Sequence, residues 1–237
     1  MLTVSPTSGL AANSGDAHNL TWNFNSGAQA FDFLGVGQSL TLNYTVQSSD
    51  NNMASDTQLV SVNIVGSNDA ASDLVLTVTA APGNGLPSGA FGQLSAVDPD
   101  GGGAATYSLT SLTATTLALG AATGFAGDLS VSAAGVVSAS NFDENRVYEM
   151  TVQVQQGTAT FSETFSVITG TNTGGADNIG GAYASGDDVI YARGQGDTIL
   201  AGSGNDSVFG QAADDTLYGG DGNDLLIGGG GNDTFVF

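Results

Sequence analysis

Six aspartates recur at a strict interval of nine residues near the C-terminus: Asp188, Asp197, Asp206, Asp215, Asp224 and Asp233. From Tyr183 the chain divides into the blocks YASGDDVIY, ARGQGDTIL, AGSGNDSVF, GQAADDTLY, GGDGNDLLI and GGGGNDTFV. Aspartate holds the sixth position of each block. The eighth is always apolar: Ile190, Ile199, Val208, Leu217, Leu226 and Phe235. An earlier partial block ends near Asp177, two residues out of phase. A loop with scattered acids has no reason to keep such phase, so the interval has a structural cause.

The residue types say what chemistry that is. Glycines let a backbone turn tightly and aim its carbonyl oxygens at one point. An aspartate beside them adds carboxylate oxygen. Calcium is a hard cation that takes six to eight oxygens at about 2.3–2.6 Å. After each aspartate, a short strand turns its eighth-position side chain inward. Two blocks then make one coil, which brings each aspartate against the one two blocks on. The expected pairs are Asp188 with Asp206, Asp206 with Asp224, Asp197 with Asp215, and Asp215 with Asp233. They define up to four interior Ca2+ sites, two on each edge.

Composition agrees with a bound cation. The chain has 237 residues, 23 acids and two bases, Arg146 and Arg193, for a net charge of -21. Such a charge repels itself in a compact state, yet 41% hydrophobic content is too high for disorder. Nothing here neutralises phosphates, which excludes nucleic acid as a partner. Docking to an anionic membrane fails for the same reason, and no apolar run approaches the length of a membrane span. The chain has no cysteine, which fits a protein exported unfolded and stapled by metal instead of disulfides. Met1-Leu2-Thr3-Val4 lacks the regions of a signal peptide, and Met1 is taken as an expression start on a fragment.

The blocks resemble the RTX nonapeptide family, GGxGxDxUx, over about residues 174–237. The resemblance implies a parallel β-roll that folds around calcium, in a protein secreted by a type I system. Two blocks depart from the pattern. ARGQGD carries Arg193 and Gln195, and GQAADD carries Gln211 and Ala213, where glycines usually sit. Both lie on one edge, so the Asp197–Asp215 site is expected to be the weakest. RTX regions usually continue into a cap and a secretion signal, so the natural chain is expected to be longer.

The rest must position this roll. Strand patterns at residues 74–79, 91–97, 105–112, 129–132, 136–139, 147–155 and 160–168, separated by glycine-rich turns, predict a Greek-key sandwich. Tyr148, Met150, Val152 and Val154 alternate on one face, and Phe161, Phe165 and Val167 point inward from the next strand. Acidic motifs stand in its loops: AVDPDGG with Asp98 and Asp100, FDENR with Asp143 and Glu144, GSNDA with Asn68 and Asp69, and TGTN with Asn172. Together these resemble a cadherin-like repeat. The resemblance implies that Asn68, Asp69, Asp98 and Asp100 share calcium at one junction, and Asp143, Glu144 and Asn172 at the next. Asp-Pro-Asp-Gly is also good turn chemistry by itself, and Arg146 could pair with an acid of FDENR. Gln155-Gln156-Gly157 stands where family members often place a further aspartate.

Residues 2–70 carry strand patterns at 20–25, 39–47 and 58–65, with Leu40, Leu42, Tyr44 and Val46 alternating inward. They resemble the second half of a VCBS-type repeat of long bacterial adhesins. The segment is either a compact short sandwich or the latter part of a domain begun upstream. Trp22, between Leu20 and Phe24, is expected in its core, and His18 in a surface turn. The expected fold is therefore all-β: tandem Ig/cadherin-like β-sandwich domains at 1–70 and 71–172, then a parallel β-roll at 173–237.

No enzyme is expected. The chain has one histidine, so no HExxH, and it lacks GxSxG and cysteine. Adjacent Asp143 and Glu144 suit calcium better than glycoside hydrolysis. The expected role is that of an extender and calcium-folded module in an extracellular bacterial surface adhesin, acting in adhesion or biofilm formation as a monomer. Alternatives are direct binding of a sugar or peptide by one module, and the RTX tail of a secreted enzyme. Ice binding is disfavoured, because Asn205, Asn223 and Asn232 lack threonine two residues before them.

Overall fold

The computed structural model of the chain describes residues 1–5, 21–28, 31–49, 55–79, 83, 85–101, 103–116, 129–140, 142–171, 176–180 and 185–237. Regular structure among them is β throughout, and none of it is a helix long and apolar enough to cross a membrane. The chain falls into two compact units, Met1–Asp69 and Ala70–Phe237.

In the first unit, β1 (Leu2–Ser5) pairs antiparallel with β2 (Thr21–Phe24), and β3 (Ser39–Ser49) with β4 (Ser55–Val65). Strict alternation puts Leu40, Leu42, Tyr44 and Val46 on one half-buried face, opposite Ile64, Val62, Val60 and Gln58. Among the unit's described apolar residues only Leu34 is fully buried. Trp22 corrects an expectation: it is 53% exposed and not in a core. Among the described residues its strand pairs only with β1, and the indole lines an open groove of about 220 Å³ with Val4, Thr21, Val46, Gln58 and Val60. His18 and Leu20 lie outside the described residues.

The second unit contains all seven expected sandwich strands. One sheet runs in the order β5 (Asp73–Val78), β6 (Gly89–Val97), β9 (Val136–Ala139) and β8 (Leu129–Val131). The opposing sheet begins with β7 (Ala105–Thr116), β10 (Arg146–Gln156) and β11 (Ala159–Thr169), paired antiparallel. It does not end there. β11 pairs parallel with β13 (Asp188–Tyr191), which pairs with β15 (Ser207–Ala212) and then β17 (Leu225–Gly230). A second parallel sheet, β12 (Asn178–Ile179), β14 (Thr198–Ser203), β16 (Thr216–Asp221) and β18 (Thr234–Val236), closes the coils.

The six-stranded sheet therefore serves two cores. One face carries Tyr148, Met150, Val152, Phe165 and Val167 into the sandwich, and Val189, Tyr191 and Phe209 of the roll join them. Tyr191 and Phe209 stack with ring centroids 5.1 Å apart. The other face turns Val147, Ile168, Ile190 and Val208 into the roll, against Ile179, Ile199 and Leu217. The eighth-position side chains Ile190, Ile199, Val208 and Leu217 point inward, as the nine-residue pattern requires, and Leu226 packs against them, whereas Phe235 is 42% exposed. The expected alternation of β10 and β11 is present, but Val147, Ile168 and Thr169 are buried too, because the roll covers what would otherwise be the wet face.

A shared sheet predicts shared stability. Phe165→Ala empties a fully buried site on β11 and should cost about 3–5 kcal/mol. Leu217→Ala, in the roll interior, should cost about 2–5 kcal/mol. In calcium both should shift one common denaturant transition of residues 70–237, followed by circular dichroism and tryptophan-free tyrosine probes. Two separate midpoints would contradict a single body.

Candidate metal centre

The roll repeats every 18 residues, two nine-residue blocks per coil. Thr198 pairs with Thr216, and Thr216 with Thr234. That register stacks the aspartates into two ladders. On one edge the Asp188 N–H donates to Asp206 Oδ1 at 2.9 Å, and the Asp206 N–H to Asp224 Oδ1 at 3.0 Å. On the other, the Asp197 N–H donates to Asp215 Oδ1 at 2.8 Å, and the Asp215 N–H to Asp233 Oδ1 at 3.0 Å. The expected pairs are the adjacent rungs.

Asp197, Asp206, Asp215, Asp224 and Asp233 thus each spend one oxygen on a backbone N–H. The other is left over: Asp197, Asp206 and Asp215 are each 1% exposed, and their Oδ2 atoms are buried without a hydrogen-bond partner, as are both oxygens of Asp188. In the last three blocks Oδ2 lies over the glycine that opens the block. A Cβ added at Gly210, Gly219 or Gly228 would strike Oδ2 of Asp215, Asp224 or Asp233. The turn then bends through left-handed φ at the second and fourth positions, 103° and 133° at Gly220 and Gly222. Such angles favour glycine. In ARGQGD and GQAADD the same angles are held by Arg193 (85°), Gln195 (91°), Gln211 (78°) and Ala213 (85°), so the departures keep the turn and accept its strain.

Electrostatics show what is missing from a protein-only account. Burial pushes Asp188 up to about 8, with the charges of Asp206 and Asp187 adding and nearby Ser166 partly offsetting. Burial, Asp177 and Asp215 push Asp197 up to about 7 against the Asp177 N–H. Asp206 and Asp215 rise to about 6, again chiefly by burial. Stacked ionised carboxylates need a counter-cation. No cluster of three His, Cys, Asp or Glu side chains forms among the described residues. Two carboxylates per rung pair make an all-oxygen set that suits Ca2+ and not a softer metal.

Two features escaped the sequence reading. Asp177 is the top rung of the second ladder: its N–H donates to Asp197 Oδ1 at 2.7 Å across 20 residues. That spacing is two residues longer than a coil, and the Asp177 carboxylate accepts the Thr171 N–H at 2.6 Å and the Thr171 hydroxyl at 3.1 Å. An outer ladder also runs along fifth positions. The Asn205 N–H donates to Asp187, the Asn223 N–H to Asn205, and the Asn232 N–H to Asp214, at 2.6, 3.1 and 2.7 Å. The run of Asp and Asn at that position was its signal.

The loop candidates are arranged differently. Asp98 Oδ1 accepts the Asp100 N–H at 3.0 Å in a turn closed by Gly101. Asp98 also lines a cavity of about 320 Å³ with Tyr107 and Gln156. In the first unit, the Asn68 side chain donates to the Asp69 carbonyl at 2.8 Å. Asp143 and Glu144 each face an arginine: Arg146 Nη2 is 3.9 Å from Asp143 Oδ2, and Arg193 Nη1 is 2.9 Å from Glu144 Oε1. Asn172 lies outside the described residues.

Comparison with known proteins meets this geometry at the roll. Residues 184–208 and 200–235 match the model of the RTX calcium-binding nonapeptide repeat. The matched segment is a calcium-binding RTX-type β-roll, and calcium is its cofactor. No curated protein matches the chain. A solved structure described as a protocadherin gammaB7 EC3-6 cis-dimer aligns at 21% identity and a TM-score of 0.33, over 53% of this chain and 31% of that one. The chain thus spans about a third of that neighbour's length.

Two predictions follow from the ladders. Unfolded, these carboxyls titrate near 4. Between that value and their raised folded values, the folded roll holds more protons than the unfolded chain. Without metal, stability therefore falls as pH rises through about 5 to 8. Calorimetry in chelator should show the roll's transition at pH 5 and its loss toward pH 8, and Asp188→Asn should retain more of it above pH 6. A level profile would contradict the burial. Separately, Asp206→Ala removes a rung shared by two pairs and Asp224→Ala a rung at the end of its described ladder. Titration calorimetry should show a larger loss of calcium stoichiometry for Asp206→Ala. Unchanged stoichiometry would refute the pairing.

Proposed function

We propose that this chain is a calcium-dependent extracellular region of a bacterial RTX adhesin, a non-enzymatic extender and calcium-folded module of a secreted surface protein acting in adhesion or biofilm formation. The buried double ladder of aspartates carries the reading. Cytosolic calcium is scarce, so the ladders repel and the roll stays unfolded and exportable by a type I system. Outside, calcium is roughly millimolar, within the range bound by extracellular modules at about 10⁻⁴–10⁻³ M. A ligand at about 100 times its dissociation constant contributes roughly 2.7 kcal/mol per site, so several sites rival a domain's net stability of about 5–15 kcal/mol. The cadherin-like and VCBS-like motifs support a protein built of repeated modules, with Asn68 and Asp69 as calcium ligands at the end of the first unit and Asp98 and Asp100 as calcium ligands in a loop of the second. The Asp143, Glu144 and Asn172 site competes with Arg146 and Arg193 for its two acids, and so is the weaker junction.

A second reading gains from Trp22. An exposed indole beside an apolar groove is a platform on which a sugar ring or peptide side chain can stack, and the first unit would then bind a ligand directly. A glycan array with and without calcium separates the two readings: the extender role expects no specific spot.

The folding proposal is tested by circular dichroism and thermal melting over a calcium titration, with chelator and magnesium controls. The expected result is a cooperative gain of β structure and of melting temperature with calcium alone. An identical melt in chelator would remove the folding switch.

A further inference from the structure

Four non-glycine residues hold the left-handed turn positions on one edge of the roll, and two of them reach across to the sandwich. Gln211 Nε2 donates to the carbonyls of Gly83 and Gly85, at 2.5 and 2.9 Å, in the loop between β5 and β6. Arg193 Nη1 lies 2.9 Å from Glu144 Oε1, in the loop before β10, and its side chain is only 11% exposed. Arg193 and Gln211 occupy the same block position one coil apart, since Gly194 bridges to Ala212 in parallel register. The next equivalent position is Gly229, at φ 107°.

That reversion to glycine coincides with the end of the sandwich's cover. Val189, Tyr191 and Phe209 are buried in the sandwich core, whereas Leu225 and Ile227 on β17 are 45% and 38% exposed. Non-glycine side chains therefore stand at the second block position where there is a sandwich to grip, and glycine returns where there is none. A random lapse in the repeat would not track the neighbour.

We propose that Arg193 and Gln211 are positioning residues that lock the Asp197–Asp215 calcium edge onto the sandwich, so that calcium on that edge is coupled to order in the sandwich loops around Gly83–Gly85 and Glu144. The same turns that bend around the metal carry the docking side chains on their backbone. Gln211 is four residues before Asp215 and Arg193 four before Asp197. The two edges are consequently unequal: the Asp206 and Asp224 turns, with glycine at Gly202, Gly204, Gly220 and Gly222, carry no docking side chains, while the Asp197–Asp215 edge binds calcium together with the sandwich loops.

The sign of a glycine substitution tests this in the full chain. Glycine relieves left-handed strain, so Arg193→Gly and Gln211→Gly should raise the melting temperature if these positions are merely imperfect repeats. Ala213→Gly, at a strained position with no side chain long enough to dock, is the control and should raise it. We expect Arg193→Gly and Gln211→Gly to lower the melting temperature in saturating calcium and to shift the calcium midpoint severalfold upward. Hydrogen exchange of Gly85 and Glu144 amides should be slowed by calcium in the parent chain, and the slowing should be lost in Gln211→Gly. Behaviour of both variants like Ala213→Gly, or sandwich-loop exchange indifferent to calcium in a chain that does respond to calcium elsewhere, would overturn the coupling. The parent titration keeps the cases apart, because a parent with no calcium response at all refutes the calcium-folding proposal on which this one rests.

Discussion

A carboxylate taken out of water must find hydrogen bonds or a counter-cation, and this roll buries a column of them. Asp188, Asp197, Asp206 and Asp215 are almost wholly inaccessible. The backbone satisfies one oxygen at most rungs through the N–H of the aspartate one coil earlier. No basic side chain supplies the rest: Arg193 and Arg146 are the only two bases, and both face acids of the FDENR loop. The ladder therefore takes half of its partners from backbone N–H groups and asks for a hard cation to satisfy the rest. Glycine content, coil length and the apolar eighth position are all consequences of packing that column.

Solenoid coils cannot bury an apolar face alone, and the first coil needs something to stack on. Here it stacks on β11, an antiparallel sandwich strand whose far edge accepts a parallel partner. Ser166 pairs with Asp188 and Thr169 with Tyr191, so the sandwich supplies the missing preceding coil. The join also protects an edge that would otherwise invite another strand. The Gly170 N–H donates to the Tyr191 carbonyl at 2.7 Å and the Asn145 N–H to the Gly170 carbonyl at 3.2 Å, which stitches the FDENR loop to the first coil. Thr171 on the Asp177 carboxylate then starts the second ladder with protein donors alone.

Local periodicity made much of this legible. Nine-residue phase identified the rungs and their pairing, because a coil of two blocks is a geometric consequence of the repeat. Period-two alternation placed Tyr148, Met150, Val152 and Val154 in the sandwich core. What stayed hidden was every feature set by one element meeting another. Val147 and Ile168 look like residues on the polar side of their strands, and only the roll's arrival buries them. Trp22 looks like core by its neighbours, but hydrophobicity on a strand says nothing about whether a second layer covers it. Asp177 stands two residues out of phase in the sequence, yet its N–H still reaches Asp197 and makes it a rung. Arg193 and Gln211 appeared as defects of a repeat when viewed along the sequence alone.

Those two residues show how a repeat and a docking surface compete for one position. A non-glycine residue at left-handed φ costs about 1–2 kcal/mol. A buried hydrogen bond contributes a net of about 0.5–1.5 kcal/mol, and one to a charged group about 1.5–3 kcal/mol. Gln211 makes two bonds to carbonyls, and Arg193 a charged one that solvent at the 42% exposed Glu144 screens toward the low end of that range. The gain thus matches or modestly exceeds the strain, and only where the partner is present. At Gly229 the balance tips back, since a side chain there would carry the strain, and its Cβ would strike the Gln211 carbonyl. The repeat is kept by local sterics wherever nothing opposes it, and it yields where a neighbouring sheet offers more than the strain takes away.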